Sequence, residues 1–439
     1  MEFGMKTHKN LLLCVIIVIG LMLGACQPPK SVPTPIPWES RQTATPVATQ
    51  AMTSTPPLVT PTPIAATVTA ESTTAIQVTT DVEATATPPP SPTPTTSSRM
   101  TSPDYGIQAF MWWRQDIGTR DLGLIRDMGF RWVKHIFAWN AIEGAAKGHF
   151  DWNSADRIVD DVNRYGLKLL ARIDRAPVWA GGQGENGLPS DLRDWGDFCF
   201  ALASRYKGRI QAYQIWNEPN LAREWGGKPP NPAEYVELLR VAYEAIKRAD
   251  PEAIVISAGL TPTGTYNDEA MPDEMYLEGM YQAGFQRYCD MVGLHAAGFK
   301  APPEISPDEL LTTPGHPYGD QRFFCFRHVE DMRKIMEKYG DGARRVVILE
   351  FGWTTDTREG SPYAWHAVSQ QEQAEYMVRA YRWAKEHWQP WIALMSLIYI
   401  ADPYWTPENE EYWWAITEPN YPTPWTRPAY EALKQMPKE

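Results

Sequence analysis

Gln214-Ile215-Trp216-Asn217-Glu218-Pro219, read together with Val347-Ile348-Leu349-Glu350-Phe351-Gly352-Trp353, decides how this chain is organised. Each is a short apolar run that reaches a carboxylate near its end. Such runs read as buried strands when turn signals and helical patterns separate them. Working outward, similar runs occupy 106–111, 132–137, 167–173, 253–258, 291–295 and 392–399, which makes 210–216 the fourth strand and 346–351 the seventh. Segments 232–248, 322–339 and 370–387 carry helical periodicity. Eight β/α units in series predict an α/β fold of the closed (β/α)8 barrel type rather than an open sheet. The longest connections, 260–273, 299–321 and 401–427, follow strand C-termini, the face where such barrels carry their sites.

The barrel accounts for 103–439 as one domain, expected to be monomeric. Ahead of it, Lys6 and Lys9 precede an apolar run from Leu11 to Leu23, which ends in Leu23-Gly24-Ala25-Cys26. A basic start, a short apolar core and small residues before a cut describe an export signal over 1–25. The run is also too short to span a membrane comfortably. Leu-Gly-Ala-Cys resembles a bacterial lipobox, which implies lipid attachment at Cys26 and a cell-surface, membrane-anchored protein; the alternative is a plain signal peptide with an incidental cysteine. Residues 26–102 are rich in Thr, Pro, Ala and Ser, with Thr60-Pro61-Thr62-Pro63 and Pro88-Pro89-Pro90 among them. Such a segment cannot bury a core and reads as an extended, disordered tether.

A formal net charge of −12 and the lack of any Lys/Arg run argue against nucleic acid or another polyanion as partner. Aromatic residues make 12% of the chain, with 19 Trp, enough to fill a core and leave indoles for a cleft. Beyond Cys14 and Cys26 in the leader, Cys199, Cys289 and Cys325 form an odd set. Cys289 and Cys325 are expected at opposite ends of the barrel, too far apart to bridge, so buried free thiols are predicted.

Glu218 and Glu350, one at each of two strand ends on the same face, can converge across the barrel mouth. Hydrolysis of a glycosidic bond with retention needs two carboxyl groups about 5–5.5 Å apart, one to protonate the leaving oxygen and one to attack the anomeric carbon. The Glu350 anion is expected to raise the pKa of Glu218 and keep it protonated. Pro219 disfavours a helical Glu218 and predicts an extended chain there. Asn217 is placed to hydrogen-bond a sugar hydroxyl, and Gly352 to let the backbone leave the strand tightly. Trp139, Trp179, Trp353 and Trp405, at or beyond strand ends, offer faces for sugar stacking or simply pack. Tyr399 closes the eighth strand as a further substrate contact. Two carboxylates and water complete the reaction, so no cofactor and no metal are predicted.

At these residues the chain resembles the clan A glycoside hydrolases, whose (β/α)8 barrels carry Asn-Glu-Pro after strand four and a nucleophilic Glu after strand seven. Glu350-Phe351-Gly352-Trp353-Thr354-Thr355 looks most like bacterial members near families 39 and 5. Trp139-Asn140-Ala141-Ile142-Glu143 and Gly148-His149-Phe150-Asp151-Trp152 are similar to the segment after strand two in those enzymes. The resemblance implies Glu218 as acid/base, Glu350 as nucleophile and a β-linked glycan as substrate. Departures stand at Gly144, where relatives often have Pro, at Arg172-Ile173-Asp174-Arg175, where many have His, and after His295, which lacks the Tyr found two positions later. Arg172 reads as a partner of the nucleophile or as a barrel-lining ion pair. His295 reads as a substrate or nucleophile contact or as a satisfied interior histidine.

Endo action on a polymer suits a tethered, outward-facing enzyme; the alternatives are an exo-β-glycosidase of β-xylosidase or β-glucosidase type, or a non-catalytic carbohydrate-binding surface lipoprotein. A metal-dependent barrel hydrolase is disfavoured, because the chain has only eight His and no His-x-His after the first strand.

Overall fold

Strand and helix alternate along the chain in a computed structural model that describes residues 100–313, 315–420 and 425–438. The expected leader, Cys26 with its expected lipid, and nearly all of the expected tether lie outside the described residues. The strands are β1 (Asp104–Gln108), β2 (Trp132–Ile136), β3 (Lys168–Ile173), β4 (Ala212–Ile215), β5 (Ile254–Ile256), β6 (Val292–Ala297), β7 (Val346–Gly352) and β8 (Ile392–Leu397). Each is followed by a principal helix: α1 (Gln115–Asp127), α2 (Asn153–Arg164), α3 (Leu192–Arg205), α4 (Pro232–Ala249), α5 (Asp273–Gln282), α6 (Val329–Lys338), α7 (Gln370–His387) and α8 (Pro428–Gln435). The sheet is parallel and eight-stranded, in the order β5-β4-β3-β2-β1-β8-β7-β6. Parallel bridges Ile256–Met291 and Leu260–Leu294 join β5 to β6 and close the ring. Gly293 permits that closure, since a Cβ there would lie 2.2 Å from the Ser257 carbonyl oxygen and 2.6 Å from a Leu349 methyl.

Helix ends follow local chemistry. α4 starts on Asn231, whose side chain accepts from the Ala233 and Glu234 amides, with Pro232 in the first turn where its missing N–H costs nothing. α7 starts on a reciprocal Ser369/Glu372 capping box. It buries Gln373, Ala374, Tyr376, Met377, Ala380, Tyr381 and Ala384, the three-and-four spacing that lays one face on the sheet.

The expected strands and helices fall where the sequence places them, with instructive exceptions. β1 begins at Asp104, whose fully buried carboxylate accepts from Trp132 Nε1 at 2.9 Å and Arg131 Nε at 2.9 Å. Those partners make a charge acceptable in an interior that hydropathy alone reserves for apolar residues. The helix expected from 322 begins only at Val329. Asp308 and Asp331 hold Arg322, while Phe323 and Phe324 pack on Phe299 near the mouth, so the segment stays irregular. Met100, assigned by composition to the tether, is buried in the barrel interior. Cys199, Cys289 and Cys325 are buried free thiols, and burial pushes Cys289 and Cys325 up to about 12.

Candidate active site

The barrel interior changes character along its axis. Trp132, Leu170, Ala212 and Leu394 belong to one apolar cluster inside the ring. Two residues further along the same strands stand Lys134, Arg172, Gln214 and Ser396, all buried. Side chains two apart on a strand share a face, so an apolar floor supports a polar layer at the C-terminal end.

Glu350 joins that layer through an irregularity. Leu294 pairs with Ile348 but His295 pairs with Glu350, which leaves Leu349 as an extra residue in β7. Strict alternation would send Glu350 outward, since Val347 and Leu349 already face the interior. The bulge re-aims it into the mouth.

Glu218 reaches the mouth by a different route. Pro219 excludes the right-handed helical region, yet Glu218 is not extended: its φ is 38°, in the left-handed region. Its amide donates to the Gly259 carbonyl at 3.0 Å and its carbonyl accepts from the Leu221 amide at 2.9 Å, a turn that points the side chain inward. His295 Nδ1 lies 2.9 Å from Glu218 Oε1 and 3.9 Å from Glu350 Oε2. One carboxylate oxygen of each glutamate and a ring nitrogen of His295 all lie within 4.8 Å of one another. Gly259 makes room for the ring: a Cβ there would sit 2.2 Å from His295 Cδ2.

Three basic groups set the charge of the pair. Lys134, buried in β2, donates to Glu350 Oε1 at 2.6 Å and to the Leu349 carbonyl at 3.2 Å. Burial works to raise the pKa of Glu350, but Lys134, His295 and Arg172 outweigh it and pull that carboxyl down to about 2. Burial also works to raise Glu218, and the hydrogen bond from His295 reverses this, so Glu218 too lies below the usual carboxylate range. The expected upward shift of Glu218 is therefore not found in the resting site; repulsion from Glu350 is present but smaller than the pull of His295. The Glu218–His295–Glu350 spacing would also suit a metal ion, but that ion would meet Lys134 and Arg172.

Removing the lysine gives a signed prediction. In Lys134→Met the anion of Glu350 loses its main counter-charge, so its pKa rises and the acid limb of kcat/KM moves to higher pH. Loss of one partner of a buried pair is also expected to cost about 3–5 kcal/mol of folding stability, read by denaturant unfolding. An unmoved acid limb would remove Lys134 from the site's electrostatics.

No family model and no curated protein matches the sequence. Solved structures do match. A family 39 glycoside hydrolase from the gut symbiont Bacteroides cellulosilyticus aligns with a TM-score of 0.55 at 19% identity, over 76% of this chain and 63% of its own. A glucosidase from Croceicoccus marinus gives 0.55 at 13% identity, over 76% of this chain and 67% of its own. GH5_18 from Streptomyces cattleya, in complex with GlcNAc, gives 0.54 at 13% identity, over 77% and 80%. The chain has the fold of these hydrolases. It spans under two thirds of the length of the family 39 protein, and at such identities the likeness carries the fold and not the reaction.

Within this glycoside-hydrolase-like barrel, a cavity of ≈ 630 Å³ opens at the C-terminal face, with Glu218 and Glu350 in its lining. Asn217, Arg172, His295, Tyr399 and Trp405 line it as well. Asn217 accepts from Gln214 Nε2 at 3.1 Å, which orients its amide. Arg172 has both of its expected characters: it is paired with Asp174 at 2.6 Å and acts on Glu350 through charge. His295 bonds Glu218 more closely than Glu350.

Two tryptophans are corrected. Trp139 and Trp353 are 0% exposed and have no face for a sugar. Trp139 stacks on Phe198 and donates to Glu143 Oε2; Trp353 lies against the bare Cα of Gly298 and donates to the Ala301 carbonyl. Trp179 is half-buried, edge-on to Trp139 and outside the cavity lining. Gly352 is also reassigned: it ends β7 instead of leaving it, and its missing Cβ lets Ile398 pack close. The Ile398–Tyr399 peptide beside it is cis. Gln108, Lys134 and Arg223 were not singled out from sequence. Gln108 and Lys134 each follow an interior position by two residues on their strands, which the strand register makes plain and the sequence alone does not.

Proposed function

We propose that the chain is a retaining hydrolase of β-linked glycans, endo-acting, and held at a bacterial cell surface through lipid on Cys26. The observation that carries the reading is the facing pair itself, with reactive oxygens inside 4.8 Å at the mouth of an apolar-floored barrel. So close an approach is nearer the spacing of about 5–5.5 Å that a retaining pair needs than the roughly 6.5–9.5 Å that leaves room for water in an inverting one.

In the first step Glu350, kept ionised by Lys134, attacks the anomeric carbon as the glycosidic C–O bond breaks. The leaving oxygen takes a proton from Glu218 in its carboxylic acid form, which leaves Glu218 a carboxylate. A glycosyl ester on Glu350 results. Its formation removes the Glu350 charge, and Glu218, now a carboxylate, takes a proton from water as that water attacks the same carbon. The ester bond breaks and both glutamates return to their starting states. Asn217 and Arg172, buried beside the pair, position the reacting sugar.

The test is a panel of β-glucans, xylans, mannans and exopolysaccharides, with proton NMR of the first-formed anomer. Oligosaccharide products with a retained anomer are expected from cells given polymer from outside, with Cys26→Ser moving the activity into the medium. Monosaccharide alone rejects endo action, an inverted first anomer rejects Glu350 as nucleophile, and activity that stays on cells carrying Cys26→Ser rejects the anchor.

A further inference from the structure

We propose that Glu274, His328 and Asp331 form a zinc site that fastens the helix after β5 to the helix after β6. None of the three lines the cavity, and the site stands apart from the glutamate pair and its reaction.

Asp273 and Glu274 open α5, Asp331 lies in the first turn of α6, and His328 immediately precedes that helix. Acidic first-turn residues are ordinary helix-end chemistry, and Asp331 already pairs with Arg322 and Lys334. The histidine is the exception. Its side chain is 3% exposed, Nε2 lies 2.9 Å from Asp273 Oδ2, and Nδ1 is buried with no hydrogen-bond partner among the described residues. Nδ1 is aimed between two carboxylates, 3.8 Å from Glu274 Oε1 and 3.5 Å from Asp331 Oδ2. One ligand atom from each of the three residues lies within 4.8 Å of the others.

These spacings suit zinc. Tetrahedral bonds of about 2.0–2.1 Å put ligand atoms roughly 3.4 Å apart, so a small inward shift closes the site. One ring nitrogen with two carboxylate oxygens is a zinc donor set, unlike the all-oxygen shells of calcium and magnesium. Asp273 completes the arrangement. A carboxylate that accepts from one ring nitrogen of a histidine fixes the tautomer and leaves the lone pair of the other nitrogen for a metal. Glu274, with its side chain 42% exposed, gives the ion a way in and lets water take the fourth position.

Charge favours a dication as well. Asp273, Glu274, Asp308 and Asp331 face Arg322 and Lys334, which leaves two negative charges in excess when the ring is neutral. An ion at the glutamate pair would meet two buried cations; here Lys334 is 63% exposed and Arg322 is shared with Asp308. The rival occupant is a proton. Burial disfavours it, but Asp273 and its neighbours draw the ring's pKa up to about 10, so zinc has to displace it. The ion would steady the long loop after β6, because Phe323 meets His328 edge-on at 6.4 Å and packs on the cavity-lining Phe299 at 6.0 Å.

The experiment strips the full-length protein with chelator and titrates it with zinc sulfate, wild type beside Glu274→Gln, His328→Gln and Asp273→Asn. The wild type is expected to take up one equivalent, to release protons as it does so, and to unfold at a higher temperature with zinc than with chelator. Cobalt(II) in place of zinc should give the visible bands of a tetrahedral site, lost in Glu274→Gln. Asp273→Asn should weaken zinc about 10–100-fold, the usual effect of losing the group that orients a ligating histidine. Should His328→Gln fail to fold, Glu274→Gln, altered at the half-exposed ligand, decides alone. No uptake by the wild type, or uptake that Glu274→Gln matches in affinity and cobalt spectrum, overturns the site and leaves the cluster to a proton.

Discussion

Glu350→Gln is expected to lower kcat/KM on β-glycans by about 10⁴-fold or more, the scale of losing a covalent nucleophile. The amide has the shape of the carboxylate but neither its charge nor its nucleophilicity. Gln214, also in the polar layer, is itself an amide, and Asp174 is tied to Arg172 at 2.6 Å. The variant should still unfold cooperatively, because the Leu349 carbonyl, 3.2 Å from Lys134 Nζ, remains to hold the lysine. A shorter variant sharpens the test. In Glu350→Ala, added azide can enter the vacated space and attack from the face Glu350 would have used, giving a glycosyl azide of inverted configuration. Restoration of turnover with that product identifies the missing group as the nucleophile; wild-type rates in Glu350→Gln would reject the assignment outright.

Glu218→Ala should separate substrates by their leaving groups. For an alkoxide-like sugar leaving group the loss is expected at about 10²–10⁴-fold, the usual contribution of a positioned acid. For a dinitrophenyl leaving group no proton is needed in the first step, so the glycosyl ester should form quickly and accumulate, visible as a burst. Water then lacks its base, and azide, which needs none, should speed the second step and give the retained glycosyl azide. Equal losses on both substrates would mean that Glu218 has another role. His295 bears on the pH profile of this step. Its hydrogen bond with Glu218, at 2.9 Å, holds that carboxyl below the usual carboxylate range.

The two glutamates were legible because strand ends are visible as the ends of apolar runs, and the barrel brings all such ends to one face. What surrounds them was less so. Lys134 sits in Trp132-Val133-Lys134-His135-Ile136, where a lysine reads as an outward residue; that it points inward follows only from the register with its neighbours. The route of Glu350 into the mouth depends on a bulge at Leu349, a property of the pairing with β6 that the β7 sequence does not carry. Pro219 weighed against a right-handed helical Glu218 and predicted an extended one, but the chain takes the left-handed region there. Tryptophan misled for a related reason. An indole near a strand end has a position, but its direction is set by what lies beside it, as Gly298 beside Trp353 shows.

Arg175, Trp216, Glu218 and Phe299 are the non-glycine residues with positive φ among those described, and all four follow the C-terminal ends of β3, β4 or β6. Each such conformation costs about 1–3 kcal/mol, so together they rival the net stability of an ordinary domain, about 5–15 kcal/mol. The opposite end of the barrel has no such residue among those described and must supply the surplus. Tolerance is therefore unevenly distributed. Heat resistance gained by relaxing the mouth would come out of the geometry that aims Glu218, whereas gains in the floor and the outer helices leave it alone. A lineage of such chains moving to hotter surroundings has one end free to improve and the other bound to stay awkward.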